Sequence, residues 1–161
     1  MKNLFTLLII LMTFSSLHGQ SDFDLNCFSI LVGKNASSDG SVFFAHNEDD
    51  EGQNFVDLHK VPRIIHKPGE KQIFVGALDS INEVSETYSY LWISGSCYNE
   101  EQYLNEWGVA ITSDGGRSKV VDGVAKIQHN LRRLVIVRAK TAREAVKIAG
   151  KLVEQYGYTK S

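Results

Sequence analysis

The sequence predicts an α+β fold in which antiparallel strands come first and helices follow. Cys27–Val32 and Ser41–His46 have strand composition, and the stretch between them ends in Asp39-Gly40, a strong hairpin signal. The last third of the chain changes to a helical period after Thr141. Because strands are grouped before helices and do not alternate with them, separate layers are favoured over βαβ units.

Each further element has its own local signal. Four more segments have strand composition, namely Arg63–His66, Ile73–Val75, Tyr88–Ser94 and Val109–Thr112. Gln128–Arg138 is predicted to be a helix, although Leu134–Val137 within it could be a strand. Thr141 and Glu144 match a capping box, which predicts that the last helix begins there. Gly157 is placed to end that helix.

Composition limits the class of protein. The chain has 161 residues, 43% of them hydrophobic, and a net charge of −2. These values predict one globular domain and exclude a disordered chain. The charge leaves no electrostatic footprint for nucleic acid, so no nucleic-acid partner is expected.

Metal and cofactor signals are weak. The histidines lack the paired spacing of zinc ligands, so we expect no metal and no cofactor. The acidic run Asn47–Gly52 starts like a calcium loop, but its twelfth position is Leu58 where such a loop needs Glu. A looser calcium site and a solvated loop remain the two alternatives there.

The N-terminus predicts export. Lys2 precedes Leu4–Phe14, an uncharged and mostly apolar run that is too short for a permanent membrane span, and small residues follow up to Gly19. We therefore expect residues 1–19 to be a signal peptide, with a buried N-terminal helix as the alternative. The chain is then secreted or periplasmic, and it has no membrane contact beyond the export signal.

Cys27 has three alternative fates in an oxidising compartment. It could form a disulfide with Cys97, carry a lipid, or become the first residue of the mature protein once residues 20–26 are removed as a propeptide. In the last case it has both a thiol and an α-amine. The ordinary pKa of an α-amine lies just below that of a thiol, so the amine can take the thiol proton near neutral pH.

The residues around Cys27 match a known pattern. Cys27-Phe-Ser-Ile-Leu-Val-Gly-Lys-Asn-Ala-Ser-Ser-Asp-Gly-Ser41, followed by Phe44-Ala-His-Asn-Glu-Asp49, resembles the opening of the secreted and bacterial cysteine dipeptidases (dipeptidase A-like) of the N-terminal nucleophile hydrolase superfamily. Three later segments are also similar to that family, namely Asn105–Ile111, Arg138–Val146 and Glu154–Tyr158. The resemblance runs in order from Cys27 to the end of the chain.

The resemblance implies an αββα sandwich and a dipeptide or small-peptide substrate. Cys27 would be the nucleophile and its freed α-amine the base, and Asp49 would hold that amine. The Asn26–Cys27 bond would be cut by the same thiol. An oxyanion hole is also needed, for which Thr112 or Ser113 are candidates. A homo-oligomer is left open.

Three departures from the family pattern stand out. His46 replaces an Arg of many relatives, so a cation beside the nucleophile exists only when the imidazole is protonated, unless His46 is simply a tolerated strand-end residue. Phe28 replaces a Thr. Family members are several-fold longer, so residues 27–161 are expected to be the N-terminal part of the hydrolase domain.

Two other functions remain open at this point. Acylases of the same superfamily that cut bile-salt or penicillin amides also start with Cys, followed by a comparable Arg-x-x-Asp element. A lipid-anchored binding protein without activity is the third reading, since a lipidated thiol cannot act as a nucleophile.

Overall fold

The computed structural model describes residues 27–48, 56–73, 80–94, 100–114, 127 and 130–158. Residues 100 and 101 are described by their backbone alone. The predicted signal peptide and propeptide, including Asn26, lie outside the described residues. So do Asp49 and Cys97, which means that the predictions made for them stay predictions.

The predicted hairpin is confirmed. Strand β1 (Phe28–Val32) pairs antiparallel with β2 (Phe43–Asn47). Gly40 has a φ of 77°, and the Asp39 carboxylate accepts a hydrogen bond of 2.9 Å from the Ser41 amide. The turn therefore includes Ser41, and the second strand begins two residues later than its composition predicts.

In the described part of the chain, the main sheet is formed by four strands, β3 (Asp57–Val61), β8 (Tyr90–Ser94), β9 (Glu100–Asn105) and β10 (Ala110–Ile111). All pair antiparallel, and they lie in the order β10, β9, β8, β3. Two short two-stranded sheets join β4 (Ile64–Ile65) to β7 (Glu86–Thr87) and β5 (Lys71–Ile73) to β6 (Ser80–Asn82).

Strands β3, β6, β7 and β9 are absent from the sequence prediction, since polar and charged residues dilute their strand composition. Tertiary pairing supplies what the local pattern lacks. In β3, for example, His59 lies opposite Trp92 of β8 and stacks on it at a ring-centroid distance of 3.9 Å. The predicted strand Tyr88–Ser94 is shorter than expected, because the Tyr88 amide donates to Val137 and not to a neighbouring strand.

Two helices lie in the described part of the chain, α1 (Asn130–Ile136) and α2 (Ala142–Tyr156). Helix α1 resolves the ambiguity at Leu134–Val137, because Val137 falls in the turn after the helix. The capping prediction is confirmed: the Thr141 hydroxyl accepts from the Glu144 amide at 3.1 Å. The Glu144 carboxylate accepts from the Lys140 amide, one residue before the cap.

The core lies where the helices meet the sheet. Helix α1 contacts β9, β10 and α2. The buried hydrophobic residues are Tyr90, Tyr103, Val109, Ile127, Leu134, Val135, Ile136, Val137, Ala139, Ala145 and Leu152. Antiparallel strands covered by helices that follow them in sequence confirm the α+β class. None of the helices in the described part of the chain is long and apolar enough to cross a membrane.

Candidate active site

Cys27 and Glu48 meet because of the register of the hairpin. Phe28 pairs with Asn47, so the residues just outside this pair, Cys27 and Glu48, come next to each other at the open end of the ladder. Cys27 is half-buried, and its Sγ donates a hydrogen bond of 3.1 Å to Oε1 of Glu48. The thiol is thus in direct contact with a carboxylate.

His46 occupies the centre of a second set of polar contacts. Its side chain is only 1% exposed. Nε2 lies 2.9 Å from Oδ1 of Asp114 and 3.7 Å from Oε2 of Glu48. Nδ1 lies 2.8 Å from the side-chain nitrogen of Gln102. We call His46, Glu48, Gln102 and Asp114 the polar cluster; it links the hairpin to β9 and to the segment after β10.

These contacts indicate which nitrogen of His46 holds a proton. A carboxylate only accepts, so Nε2 must carry a hydrogen towards Asp114. With the Gln102 amide nitrogen assigned towards Nδ1, that nitrogen accepts, which describes a neutral imidazole. A charged imidazole would fit after the Gln102 amide turned its oxygen to Nδ1. His46 therefore donates to Asp114 in either protonation state.

Asp114 holds the hairpin through both of its carboxylate oxygens. Oδ1 contacts His46, and Oδ2 accepts a hydrogen bond of 3.0 Å from the Ser29 hydroxyl. Ser29 and His46 are paired across the hairpin, so one carboxylate reaches both strands. The Asp114 side chain is 41% exposed, which leaves this contact open to solvent.

The sequence predicted that Cys27 and His46 lie near each other, but it did not predict the residues that connect them. Glu48 belongs to the acidic run that was interpreted as a calcium-like or solvated loop. Asp114 lies in a Gly-rich segment without strand or helix signal. Gln102 lies in a strand that composition did not reveal. The signal available was the pairing register of the hairpin, which brings residue 48 next to residue 27.

The two oxyanion candidates differ in their surroundings. The Ser113 hydroxyl accepts a hydrogen bond from the Arg132 guanidinium. The Thr112 hydroxyl oxygen is buried and has no hydrogen-bond partner among the described residues. A buried unpaired hydroxyl is costly, so Thr112 is the better candidate for a donor to a bound oxyanion. Their role in catalysis stays a prediction.

An apolar groove adjoins the polar cluster. It has a volume of about 410 Å³ and is lined by Phe44, by residues 109–113, by Tyr158, and by side chains of α1 and α2 that are apolar except for Arg132. Phe44 and His46 are two residues apart on β2 and therefore face the same side of the strand.

Within the part of the chain that the structure describes, no three His, Cys, Asp or Glu side chains are grouped so that they could hold a metal ion. Most of the acidic run considered for calcium lies outside that part. The alternative of a Cys27–Cys97 disulfide is likewise not addressed by the described residues.

A half-buried thiol beside a carboxylate, in an α+β domain, fits the class of cysteine-dependent hydrolases. The chain belongs to peptidase family C69, whose family model matches residues 26–161. It is also similar to a probable dipeptidase of Latilactobacillus sakei, with 29% identity over 149 residues. That match covers 81% of this chain and 30% of the relative, so the chain spans less than a third of that protein's length.

Proposed function

We propose that this chain is the N-terminal part of an exported cysteine dipeptidase whose nucleophile is Cys27, freed by autoproteolysis. The observation that carries the proposal is the position of the thiol relative to the family match. That match begins at residue 26, and the next residue, Cys27, has the thiol that contacts a carboxylate. A nucleophile at the start of the matched region is what an N-terminal nucleophile mechanism requires.

The proposed reaction on a dipeptide has two steps. The α-amine of the freed Cys27 takes the thiol proton, and the thiolate attacks the carbonyl carbon of the peptide bond. The Thr112 hydroxyl is a candidate to stabilise the oxyanion, and Asp49 is proposed to hold the amine. The C–N bond breaks, the proton passes to the departing amine of the C-terminal amino acid, and water then hydrolyses the thioester to release the N-terminal amino acid.

Exposed apolar surface supports a larger hydrolase domain with the αββα sandwich. Large hydrophobic side chains of the hairpin are more than 40% exposed, namely Phe28, Ile30, Leu31, Phe43 and Phe44. A patch of this kind marks a surface that is covered by something else. The rest of a longer chain is the cover that we propose, since the L. sakei relative extends well beyond the matched part.

The proposal is tested on the full-length protein by N-terminal sequencing and by hydrolysis of a dipeptide panel. We expect the purified protein to begin at Cys27 and to cleave dipeptides. Cys27→Ala is expected to keep the segment before residue 27 and to lose hydrolysis, because no thiol remains to attack either bond. Cys97→Ala is the matched control, and we expect it to process normally.

Three results would contradict parts of this proposal. Dipeptide hydrolysis retained by Cys27→Ala would exclude the nucleophile. Faster cleavage of bile-salt or penicillin amides than of any dipeptide would assign the chain to the acylases of the superfamily. A diacylglyceryl group on Cys27, detected by mass spectrometry, would favour a lipid-anchored protein without activity.

A further inference from the structure

The first cut poses a chemical problem that the mature enzyme does not have. Before the Asn26–Cys27 bond is broken, the nitrogen of Cys27 is part of an amide. An amide nitrogen is not basic, so it cannot accept the thiol proton. If Cys27 frees itself, which is part of the function proposed above, a different group has to act as the base for that one reaction.

We propose that Glu48 is the general base of self-cleavage, a role that it holds before the α-amine exists. Its Oε1 already accepts a hydrogen bond from the Cys27 thiol at 3.1 Å, which is within reach for direct proton transfer. The Glu48 side chain is 25% exposed and follows directly on β2. The hairpin register therefore holds the base and the nucleophile next to each other.

The second oxygen of Glu48 supports the same assignment. Oε2 is buried and has no hydrogen-bond partner among the described residues. His46 Nε2 lies 3.7 Å away from it, with its hydrogen directed to Asp114. Oε2 therefore has no hydrogen-bond donor among the described residues that would compete with the Cys27 thiol for the Glu48 carboxylate.

The bonds and protons of the cut balance with water as the only co-reactant. The thiol proton passes to Glu48, and the Cys27 sulfur forms a bond to the carbonyl carbon of Asn26. The bond from that carbon to the Cys27 nitrogen breaks, and Glu48 returns the proton to the nitrogen. Water then hydrolyses the thioester, which releases the propeptide as a carboxylic acid and restores the thiol.

The test compares self-cleavage in matched variants of the full-length precursor, followed by intact-mass spectrometry over time. We expect Glu48→Gln to slow the appearance of Cys27 as first residue by about 100-fold or more, the size of a lost general base. Glu48→Asp keeps the carboxylate at shorter reach and is expected to cleave at an intermediate rate. Glu154→Gln changes an exposed glutamate of α2 and should cleave like the unaltered protein.

A second arm separates self-cleavage from dipeptide hydrolysis. The segment before Cys27 is replaced by a recognition sequence for an added protease that leaves Cys27 first. In this pre-cut protein the α-amine is now the base. We therefore expect Glu48→Gln to reduce the rate of dipeptide hydrolysis by a factor at least tenfold smaller than the factor by which it reduces the rate of self-cleavage. A circular dichroism spectrum like that of the unaltered protein verifies that each variant is folded.

The outcomes are distinct. Self-cleavage of folded Glu48→Gln at the normal rate, or an equal loss in both arms, would overturn the role proposed for Glu48. Glu48→Asp as slow as Glu48→Gln would also count against a carboxylate base. If the pre-cut protein without substitutions hydrolyses no dipeptide, the proposed function fails, while the self-cleavage rates still decide the role of Glu48.

Discussion

Asn105 joins the main sheet to the end of α1 through hydrogen bonds of its side chain. Its amide nitrogen donates to the carbonyl oxygens of Ile136 at 2.8 Å and Ala139 at 2.7 Å. Its Oδ1 accepts from the amides of Trp107 and Val109, both at 3.0 Å. The side chain uses donors and acceptors at once, and it is only 4% exposed. The Asn105-Glu-Trp-Gly motif therefore has a structural role in addition to any part in the site.

We expect Asn105→Asp to lower the free energy of unfolding by roughly 3 kcal/mol, because a carboxylate cannot donate to the two buried carbonyl oxygens. Urea unfolding followed by fluorescence measures the change. Asn82→Asp makes the same chemical change at an exposed position and should cost less than about 0.5 kcal/mol. Equal effects of the two substitutions would contradict the role given to Asn105.

At the level of single side chains, sequence reasoning found the nucleophile candidate and not its surroundings. Cys27 was singled out by the motif and by its position before a strand. Glu48 lies within the same motif, but no role was assigned to it. Gln102 and Asp114 carry no such signal, because each is an ordinary polar residue until tertiary folding brings it to His46. Contacts between residues 46 and 114 depend on the assembled sheet, which no local pattern encodes.

Helix α2 shows how far a local signal can reach. A capping residue lies at each end of the helix. Thr141 caps the first turn, and Gly157 has a φ of 72° and donates its amide hydrogen to the Val153 carbonyl. The helix bounds were therefore predictable. Strands β3 and β9 were not, since both depend on pairing with β8 and their own composition is polar; for β3 that partner is also distant in sequence.

We expect Thr141→Ala to lower the free energy of unfolding by about 1 kcal/mol, because the Glu144 amide would lose its hydrogen-bond acceptor at the helix start. Thr141→Ser keeps the hydroxyl oxygen and is expected to retain most of the stability. Thermal unfolding of the three proteins under one condition gives the comparison. An alanine variant as stable as the serine variant would show that the cap contributes nothing here.

The free energy of unfolding of the assembled domain should decrease at acid pH, because a few surface carboxylates become protonated. A hydrogen bond from His66, together with the Lys67 amide, holds the pKa of Glu70 below its ordinary value of 4.5. The Arg63 guanidinium lowers the pKa of Glu106, and the Ser41 amide lowers that of Asp39. A carboxyl with a depressed pKa stabilises the fold above its ordinary pKa, and this contribution is lost as pH falls through the depressed value.

We therefore expect the free energy of unfolding to decrease progressively below about pH 4.5. Glu70→Gln removes one of the three carboxyl groups. The free energy of unfolding of this variant should therefore fall less steeply with decreasing pH than that of the unaltered protein. Urea midpoints measured between pH 7 and pH 3 for both proteins test this. Identical slopes in the acid range would mean that Glu70 is not part of the effect.

The hairpin that carries Cys27 is attached differently from the other strands. Among the described residues, the side chains of Ser29 and His46 connect it to Asp114 and Gln102 by hydrogen bonds. A two-stranded hairpin alone is marginally stable in water. Its backbone amides should therefore exchange with solvent hydrogen when these side-chain links open, before the amides of β8 and β9 lose protection.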